Sequence, residues 1–518
     1  MTLRENNLHV YNTLSRAREK FEPINPPHVG MYVCGPTVYG DTHLGHAKSY
    51  ISFDIIVRYL RYLGYKVRYV QNITDVGHLT DDADAGEDKV EREAKAAKVH
   101  PMQIAERFTR RYFEDMDALG ALRPDISPRA SGHVIEQIEH TKRLIETGHA
   151  YEANGSVYFD VASWPAYGKL SGRSVEAMRA GARVEANPDK KHPADFALWK
   201  RAEPGHIMQW HSPWGMGYPG WHIECTVMSQ KYLGETFDIH GGGIENQFPH
   251  HEDEIAQAEA ATPGAPGFAK YWLHNNMVTV AGKKMGKSLG NFLTLRDAFT
   301  KWPPMVIRLF ILQSHYRSPT DFSEEAIGAA ATGYERLSRA FENIASLEAD
   351  AVDRPLLDTI PTEAKGVKWK GEPPTDTRAM ERLQEAEGKF QEAMDDDFGT
   401  PGALAAVFEV QGVILREAIA TILRPPNRWL VKRLRDSFEA MACNVLGFAF
   451  GHQEDKSTEK LLTSVVNILF QQREAARNAQ DFETADAIRA QLDNAGITIE
   501  DTSQGPRWRR KQRISYKL

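Results

Sequence analysis

The chain has 518 residues, enough for about three or four domains with separate hydrophobic cores. Hydrophobic residues make up 42% and charged residues 26%, as in ordinary soluble proteins, and neither a secretory signal nor an apolar run of about 18 residues stands out. The three cysteines exclude a disulfide framework and the net charge of −7 argues against indiscriminate nucleic-acid binding, so we expect a cytoplasmic, multidomain enzyme with no membrane partner.

The first predicted elements form a βαβ unit, which indicates an α/β fold. Val29, Met31 and Val33 alternate with smaller or polar residues as in a strand. Apolar residues at helical spacing over 47–63 predict a helix that ends at Gly64, and residues 67–70 predict the next strand. Residues 34–46 therefore lie on the first crossover.

Later segments differ in pattern. Residues 121–204 mix short helical and strand-like pieces, as an inserted α+β subdomain does, and residues 237–243 predict a strand followed by a glycine turn. Helical periodicity dominates from about 320 to 455, apart from a proline-rich interruption at 350–375 that we interpret as a linker or insertion. The basic segment 507–513 suits either a solvated tail or a nucleic-acid contact.

Two short motifs point to phosphate binding. Residues 43–46, His-Leu-Gly-His, place two imidazoles at the mouth of the predicted helix, where free N–H groups and the helix dipole attract anions. Residues 284–291 form a glycine-containing loop with Lys284 and Lys287, and lysines are compact phosphate-binding charges. Singly, the motifs also suit structural histidines and an ordinary lysine-rich loop.

A third group of residues suits a metal. His250 and Glu254 are four residues apart, which on a helix puts both side chains on one face, one turn apart. Adding Cys34 and Cys225 gives two thiolates, one imidazole and one carboxylate, a mixture that favours zinc over magnesium or calcium. Taken one at a time, these residues are more typical of a charged helix face and of buried cysteines.

Together, the two phosphate motifs resemble the His-Ile-Gly-His and Lys-Met-Ser-Lys-Ser signatures of class I aminoacyl-tRNA synthetases, with Leu44 replacing isoleucine and Gly286 replacing serine. The metal set and the phrases 220–225, 238–243 and 248–251 are similar to those of cysteinyl-tRNA synthetases, and the resemblance covers nearly the whole chain.

The resemblance implies that ATP activates L-cysteine to cysteinyl-adenylate, that the cysteinyl group passes to tRNA(Cys), and that zinc selects the thiolate. It implies one Zn²⁺ per subunit, Mg²⁺ with ATP, and a monomer. The catalytic residues that it implies are His43, His46, Lys284 and Lys287. The other ATP-binding residues that it implies are Pro36, Thr37, Gly45, Asp238, His240, Gly241, Gly242, Met285 and Ser288. The amino-acid site implied is Gly35, Thr74 and Trp221, the metal site Cys34, Cys225, His250 and Glu254, and the anticodon contacts Arg477, Asp486, Asp501 and Trp508.

The resemblance also implies a domain order. A Rossmann-like catalytic domain is split by the inserted subdomain and is followed by a helical bundle and a small anticodon-binding domain. The predicted segments are 1–120 and 205–270 for the two catalytic halves, 121–204 for the insertion, 271–325 for a stem-contact region with the lysine loop, 326–456 for the bundle, and 457–518 for the anticodon-binding domain.

Two alternatives share parts of this pattern. A cysteine ligase of the kind used in mycothiol synthesis has the same zinc site and adenylation chemistry but joins cysteine to an amino sugar and lacks an anticodon domain. A non-catalytic zinc-containing RNA-binding paralogue would keep the fold without the reaction. The C-terminal phrases from Arg477 to Arg510 argue against the first, and the intact histidines and lysines argue against the second.

Overall fold

The computed structural model describes residues 3–79, 87–174, 187–280, 282–285, 292–359, 375–421, 424–450, 456–494, 497–502 and 505–510. The chain divides into two compact units, one up to Ala449 and one from Phe450 onward. None of the helices in the described ranges combines the length and the hydropathy that a membrane span requires.

The first unit begins with an antiparallel hairpin of β1 (His9–Asn12) and β2 (Ala17–Lys20). The predicted βαβ unit follows, with β3 (His28–Val33) and β4 (Lys66–Gln71) as parallel neighbours joined through α1 (Leu44–Tyr62). The alternation in β3 and the helical spacing in α1 therefore predicted these elements correctly. Both elements are buried on more than one face, since Met31, Tyr32 and Val33 are buried in succession and so are residues 50–57 of α1.

Three helices and an antiparallel sheet come next. The helices are α2 (Lys89–Ala97), α3 (Pro101–Ala118) and α4 (Val134–Glu146). The strands, in the spatial order β5-β6-β7-β9-β8, are β5 (Ala150–Ala153), β6 (Ser156–Phe159), β7 (Phe196–Arg201), β8 (Trp210–Ser212) and β9 (Gly215–Pro219). The boundary predicted at residue 204 falls inside this sheet, because β9 pairs with β7 and Pro204-Gly205 is a turn between strands of the sheet.

The second half of the parallel sheet follows the insertion. It comprises α5 (Trp221–Leu233), β10 (Phe237–Gly243), α6 (His250–Ala261) and β11 (Ala269–Asn275). The completed sheet has the order β11-β10-β3-β4 with every pair parallel. The glycines predicted as a turn continue β10 instead. A Cβ at Gly241 would lie 2.3 Å from the Phe53 ring, so glycine there permits close packing of α1 on the strand.

The rest of the first unit is mainly helical. A small sheet has β12 (Val278–Val280) between β13 (Lys283–Lys284) and β14 (Thr320–Phe322), and α7 (Leu295–Lys301) and α8 (Pro304–Leu312) lie between β13 and β14 in the chain. The bundle helices are α9 (Glu324–Asp350), α10 (Asp376–Asp395), α11 (Thr400–Ala420) and α12 (Arg428–Phe438), with a π-helical turn at Glu439–Val445.

A fully buried arginine ties α8 to its surroundings. The guanidinium of Arg308 donates to the carbonyls of Leu446 at 2.7 Å and Leu119 at 3.0 Å, and it pairs with the carboxylate of Asp54 on α1. One side chain thus joins the parallel-sheet region to the end of the helical bundle.

The second unit is small. Its elements are α13 (Lys456–Asn478), α14 (Phe482–Asn494) and an antiparallel hairpin of β15 (Ile497–Thr502) and β16 (Gly505–Arg510). Its core contains Val466, Leu492 and Ile497.

Candidate active site

The candidate site lies where the carboxyl ends of neighbouring parallel strands meet. Cys34 follows β3, Asn72 follows β4, and Gly242 and Gly243 end β10. From β3 the chain crosses to β4 on one side, whereas β10 pairs with β3 on the other side. Ligands bind at such switch points in open parallel sheets. A cavity of about 540 Å³ opens at this position.

Many of the sequence-predicted residues line this one cavity. They are Cys34, Gly35, Pro36, Thr37, His43, His46, Thr74, Trp221, Cys225, Gly242, His250 and Met285. They come from both halves of the parallel sheet, so the site is complete only when β3 and β10 pair.

The four predicted metal ligands converge at one end of the cavity. The donor atoms of Cys34, Cys225, His250 and Glu254 all lie within 4.8 Å of one another, and all four residues are buried. The two Sγ atoms are 3.9 Å apart. That distance is far too long for a disulfide, whereas two sulfurs that each lie about 2.3 Å from a tetrahedral zinc are about 3.8 Å apart. The donor set therefore fits zinc in both chemistry and spacing.

A second, overlapping donor set is present. Cys34 and Glu254 also lie within 4.8 Å of His240 and His251. Neither of these histidines lines the cavity, whereas Cys34, Cys225 and His250 do. Three residues of the first set line the cavity, against Cys34 alone of the second, and of the two sets the first alone offers two sulfurs.

Further polar residues orient the ligands. His250 Nε2 lies 3.1 Å from Glu254 Oε1, and His250 Nδ1 lies 2.9 Å from His222 Nδ1. The other Glu254 oxygen is 2.8 Å from His240 Nε2, and Asp253 lies 3.3 Å from His222. Such partners fix the tautomer and direction of metal-ligating side chains.

Burial sets the protonation of the ligands. It raises the pKa of the Cys225 thiol to about 11 and that of Cys34 well above its usual range. It lowers the pKa of His250 to about 3, so this imidazole is neutral and able to ligate. A bound cation favours the thiolate, so metal binding and loss of the thiol protons are coupled.

The two histidines of the first phosphate motif cap α1 with their rings. The Gly45 N–H donates to His43 Nδ1 at 3.0 Å, and the His43 N–H donates to His46 Nδ1 at 3.2 Å. Burial, followed by the charge of His43, lowers the pKa of His46 well below its usual range. Since a neutral ring that accepts at Nδ1 carries its hydrogen on Nε2, His46 is a neutral N–H donor at the helix mouth.

Trp221 and Thr74 stand at the metal end of the cavity. The indole of Trp221 lies against the ring of His250, with centroids 4.5 Å apart. The Thr74 hydroxyl donates to Glu224 at 2.9 Å and accepts from Asn72 at 3.0 Å. Buried Glu224, whose pKa burial raises well above its usual range, thus fixes Thr74 in the loop after β4 against α5.

Comparison with known proteins decides the family. Residues 20–332 match the family described as tRNA synthetases class I (C) catalytic domain, residues 389–451 the DALR domain, and residues 460–509 the cysteinyl-tRNA ligase anticodon binding domain. The chain is 50% identical over 519 residues to a cysteine–tRNA ligase of Chlorobaculum tepidum, covering 98% of this chain and 99% of that one. It is 50% identical over 504 residues to a cysteine–tRNA ligase of Thermus thermophilus, covering 97% and 99%. The chain belongs to the cysteinyl-tRNA ligase family.

Solved structures of other synthetases share the fold of this family member. A Mycobacterium tuberculosis methionyl-tRNA synthetase in complex with methionyl-adenylate aligns with a TM-score of 0.54 at 14% identity, over 81% of this chain and 89% of that one. An Agrobacterium radiobacter K84 LeuRS in a ternary complex with tRNA and LeuAMS aligns with 0.55 at 13% identity, over 82% and 85%. The predicted Rossmann-like class I catalytic fold is thereby confirmed.

The lysine loop of this synthetase lies largely outside the described residues. The backbone of Lys284 pairs with Thr279 at the start of the loop, and Met285 reaches the cavity. The Lys284 side chain, Lys287 and Ser288 fall outside the part of the chain that the structure describes, so their assignments stay predictions.

The structure does not bring every predicted ATP residue of the synthetase to the cavity. Asp238 lies at the amino end of β10, where its carboxylate accepts from the Ile24 N–H at 2.6 Å and the Gly30 N–H at 2.8 Å. This is the opposite end of the strand from the cavity, and Asp238 does not line the cavity. Its carboxylate joins β3 and the segment before it to β10, so nothing in this structure supports its assignment to ATP. His240 is likewise turned toward Glu254, and Gly241 is packed on Phe53.

Several residues that line the cavity of the synthetase were not predicted from its sequence. His78 and Lys89 belong to the loop and helix after β4, and Asn72 and Glu245 complete the wall. Their positions in the cavity wall depend on how the loops meet in space. None of these four residues belongs to a periodic pattern or short motif that would indicate a place in the site.

The predicted anticodon contacts lie in the second unit of the synthetase. Arg477 and Asp486 are exposed on α13 and α14, respectively. Asp501 pairs with Pro506 and Trp508 with Ile499 in the β15–β16 hairpin, whose side chains at these two positions lie outside the described part. A shared base-reading role for the four stays a prediction.

Proposed function

We propose that the chain joins L-cysteine to tRNA(Cys) at the expense of ATP, through cysteinyl-adenylate. The observation that carries the proposal is that a two-thiol donor set and a pair of helix-capping histidines open onto one cavity. A sulfur-binding group and a phosphate-binding group at the two ends of one site suit the activation of a thiol-containing amino acid.

At the first end, Cys34, Cys225, His250 and Glu254 would hold one zinc ion, assisted by the hydrogen bonds of His222 and His240. When bound, zinc supplies a soft Lewis acid that prefers a thiolate to a hydroxyl. Trp221 and the loop around Thr74 shape the space beside these ligands, so the substrate's side chain is directed toward the sulfur-rich end.

At the second end, the ring N–H group of His46 and the amino end of α1 face the cavity as neutral donors. The cysteine carboxylate is already ionised at neutral pH, so its attack on the α-phosphorus of ATP needs no general base. His46 and the amino end of α1 would place the ATP phosphates and stabilise the charge that develops on pyrophosphate. Mg²⁺ and the predicted Lys284 and Lys287 would assist them.

Selection of cysteine over serine is the reason for a metal at this place. A pocket that uses shape alone separates such near-isosteres by only about 1–3 kcal/mol, or roughly 10- to 200-fold. A discrimination of about 10⁴ needs roughly 5.5 kcal/mol. Zinc held by these ligands would supply that difference, because it prefers a thiolate to a hydroxyl, and a separate editing domain would then be unnecessary.

The match of residues 460–509 to an anticodon-binding domain supports tRNA as the acceptor rather than an amino sugar. It also supports the interpretation of the second unit as the part that reads the anticodon. We further propose that the enzyme works as a cytoplasmic monomer.

Two assays test this function together: charging of tRNA(Cys) with labelled cysteine, and cysteine-dependent pyrophosphate exchange without tRNA. We expect both activities, with serine inactive in each. Exchange without charging would instead favour the amino-sugar ligase, and the absence of both would favour a non-catalytic RNA-binding protein.

A further inference from the structure

Three side chains that line the cavity form a hydrogen-bonded chain along its wall. Lys89 Nζ lies 2.6 Å from His78 Nε2, and His78 Nδ1 lies 2.6 Å from Thr37 Oγ1. The three residues come from separate pieces of the fold, since Thr37 follows β3, His78 follows β4 and Lys89 begins α2. All three face the cavity, and nothing in the mechanism above uses His78 or Lys89.

The chain is held at Lys89 and at its middle member, His78. Asp88 caps α2 by accepting from the Val90 N–H at 2.8 Å and also accepts from the Gly77 N–H at 2.8 Å, which fixes Lys89 next to His78. The His78 ring is stacked on Trp221, with centroids 4.1 Å apart and an interplanar angle of 8°. These contacts leave the imidazole little freedom to turn away from Thr37.

The charge of Lys89 decides which way the hydrogen bonds run. An ammonium group only donates, so His78 must accept at Nε2 and its ring hydrogen must sit on Nδ1. His78 therefore donates to Thr37 Oγ1, and the threonine hydroxyl keeps its own hydrogen for another acceptor. Without the ammonium the ring could adopt the other tautomer, and Thr37 would then donate to His78 instead.

We infer that Lys89 and His78 are positioning residues that hold the Thr37 hydroxyl as a hydrogen-bond donor to the carboxylate of the amino-acid substrate. The inference rests on the proposed function. A directed O–H group suits an anionic oxygen. The place suits the amino acid, because Thr37 bridges to Thr74 through the backbone and Trp221 stacks between His78 and the metal ligand His250.

The test separates a missing contact from a damaged fold. Thr37→Val removes the hydroxyl at constant shape, and Lys89→Met removes the charge from a half-buried side chain at the cavity rim. Each should raise the KM for cysteine in pyrophosphate exchange about 10- to 100-fold, as expected for a hydrogen bond to a charged group, with the KM for ATP and the zinc content unchanged. Thr37→Ser and Lys89→Arg should keep the wild-type KM.

The double variant Thr37→Val/Lys89→Met decides whether the residues act as one chain. We expect it to be no worse than Thr37→Val alone, because Lys89 acts only through the hydroxyl. Additive losses would overturn the inference, as would an increase confined to the KM for ATP, which would assign Thr37 to the α-phosphate. If the wild-type protein showed no cysteine-dependent exchange, the proposed function itself would fail, whereas active wild type with unaffected variants rejects only this inference.

Discussion

Cys34 and Cys225 are 191 residues apart in sequence, yet their sulfur atoms lie 3.9 Å apart in the folded chain. Cys34 follows β3, and Cys225 lies in α5, just before β10. The distance is that of two ligands on one tetrahedral ion rather than of a disulfide. Pairing of β3 with β10 therefore assembles the candidate metal site. We expect loss of either sulfur to impair binding and selection of the amino acid before it impairs ATP binding.

Replacing Cys34 with serine should lower both zinc content and the preference for cysteine. A hydroxyl is a poorer ligand for zinc than a thiolate, so the bound metal falls well below one ion per chain. Discrimination against serine should drop toward the roughly 10- to 200-fold that shape alone provides. Elemental analysis and pyrophosphate exchange with each amino acid measure the two effects.

Cys443→Ser is the matched control for this substitution. Cys443 lies in the π-helical turn of the bundle, outside both donor sets and outside the residues that line the cavity. It should retain zinc and selectivity. Equal zinc loss in both variants would show that Cys34 does not ligate the metal.

His46→Ala should impair adenylation and leave the metal in place. The ring caps α1 and presents a neutral N–H donor at the phosphate end, so its loss removes stabilisation of the departing pyrophosphate. A loss of about 10²- to 10³-fold in kcat is expected for one such donor. His211→Ala, at an exposed position of β8, is the control and should be fully active. Exchange at the wild-type rate in His46→Ala would contradict the assignment.

The local parts of this structure could be predicted from the sequence, and the parts made by distant contacts could not. The alternation in β3 and the helical spacing in α1 are local, and both predictions are confirmed. Asp238 was assigned to ATP because it belongs to a family phrase, but its position at the amino end of β10 follows only from the sheet.

Contacts between distant parts of the chain also explain the other features that the sequence did not predict. The predicted insertion ends at residue 204, and only the pairing of β7 with β9 shows that Pro204-Gly205 is a turn within a sheet. His78 and Lys89 are separated by a loop rather than by a helical or strand period, so no pattern relates them. The metal set could be proposed from the sequence because the family resemblance joined Cys34 and Cys225 to His250 and Glu254. The spacing of these residues alone left a structural role open.

Zinc affinity should fall steeply as the pH is lowered. Burial raises the pKa of Cys225 to about 11 and that of Cys34 well above its usual range, so the metal-free protein holds two thiols that must lose their protons on binding. The dissociation constant should therefore rise about 100-fold for each unit of decreasing pH between about pH 9 and pH 7. His250, with a pKa of about 3, releases no proton in this range. Competition with a chromophoric chelator measures the slope, and a tenfold change per unit would mean that only one thiolate is formed.

Arg308→Met should destabilise the first unit strongly without touching the active site. The guanidinium is fully buried and satisfies the carbonyls of Leu119 and Leu446 as well as the carboxylate of Asp54. Methionine fills similar space but leaves those acceptors without their donor, so we expect a loss of about 3–5 kcal/mol in the free energy of unfolding. Lys432→Ala, whose partner Asp436 forms an exposed pair at 2.7 Å, should cost at most about 1 kcal/mol. Urea unfolding followed by tryptophan fluorescence compares the two, and equal midpoints would show that Arg308 does not hold α8 to α1 and the bundle.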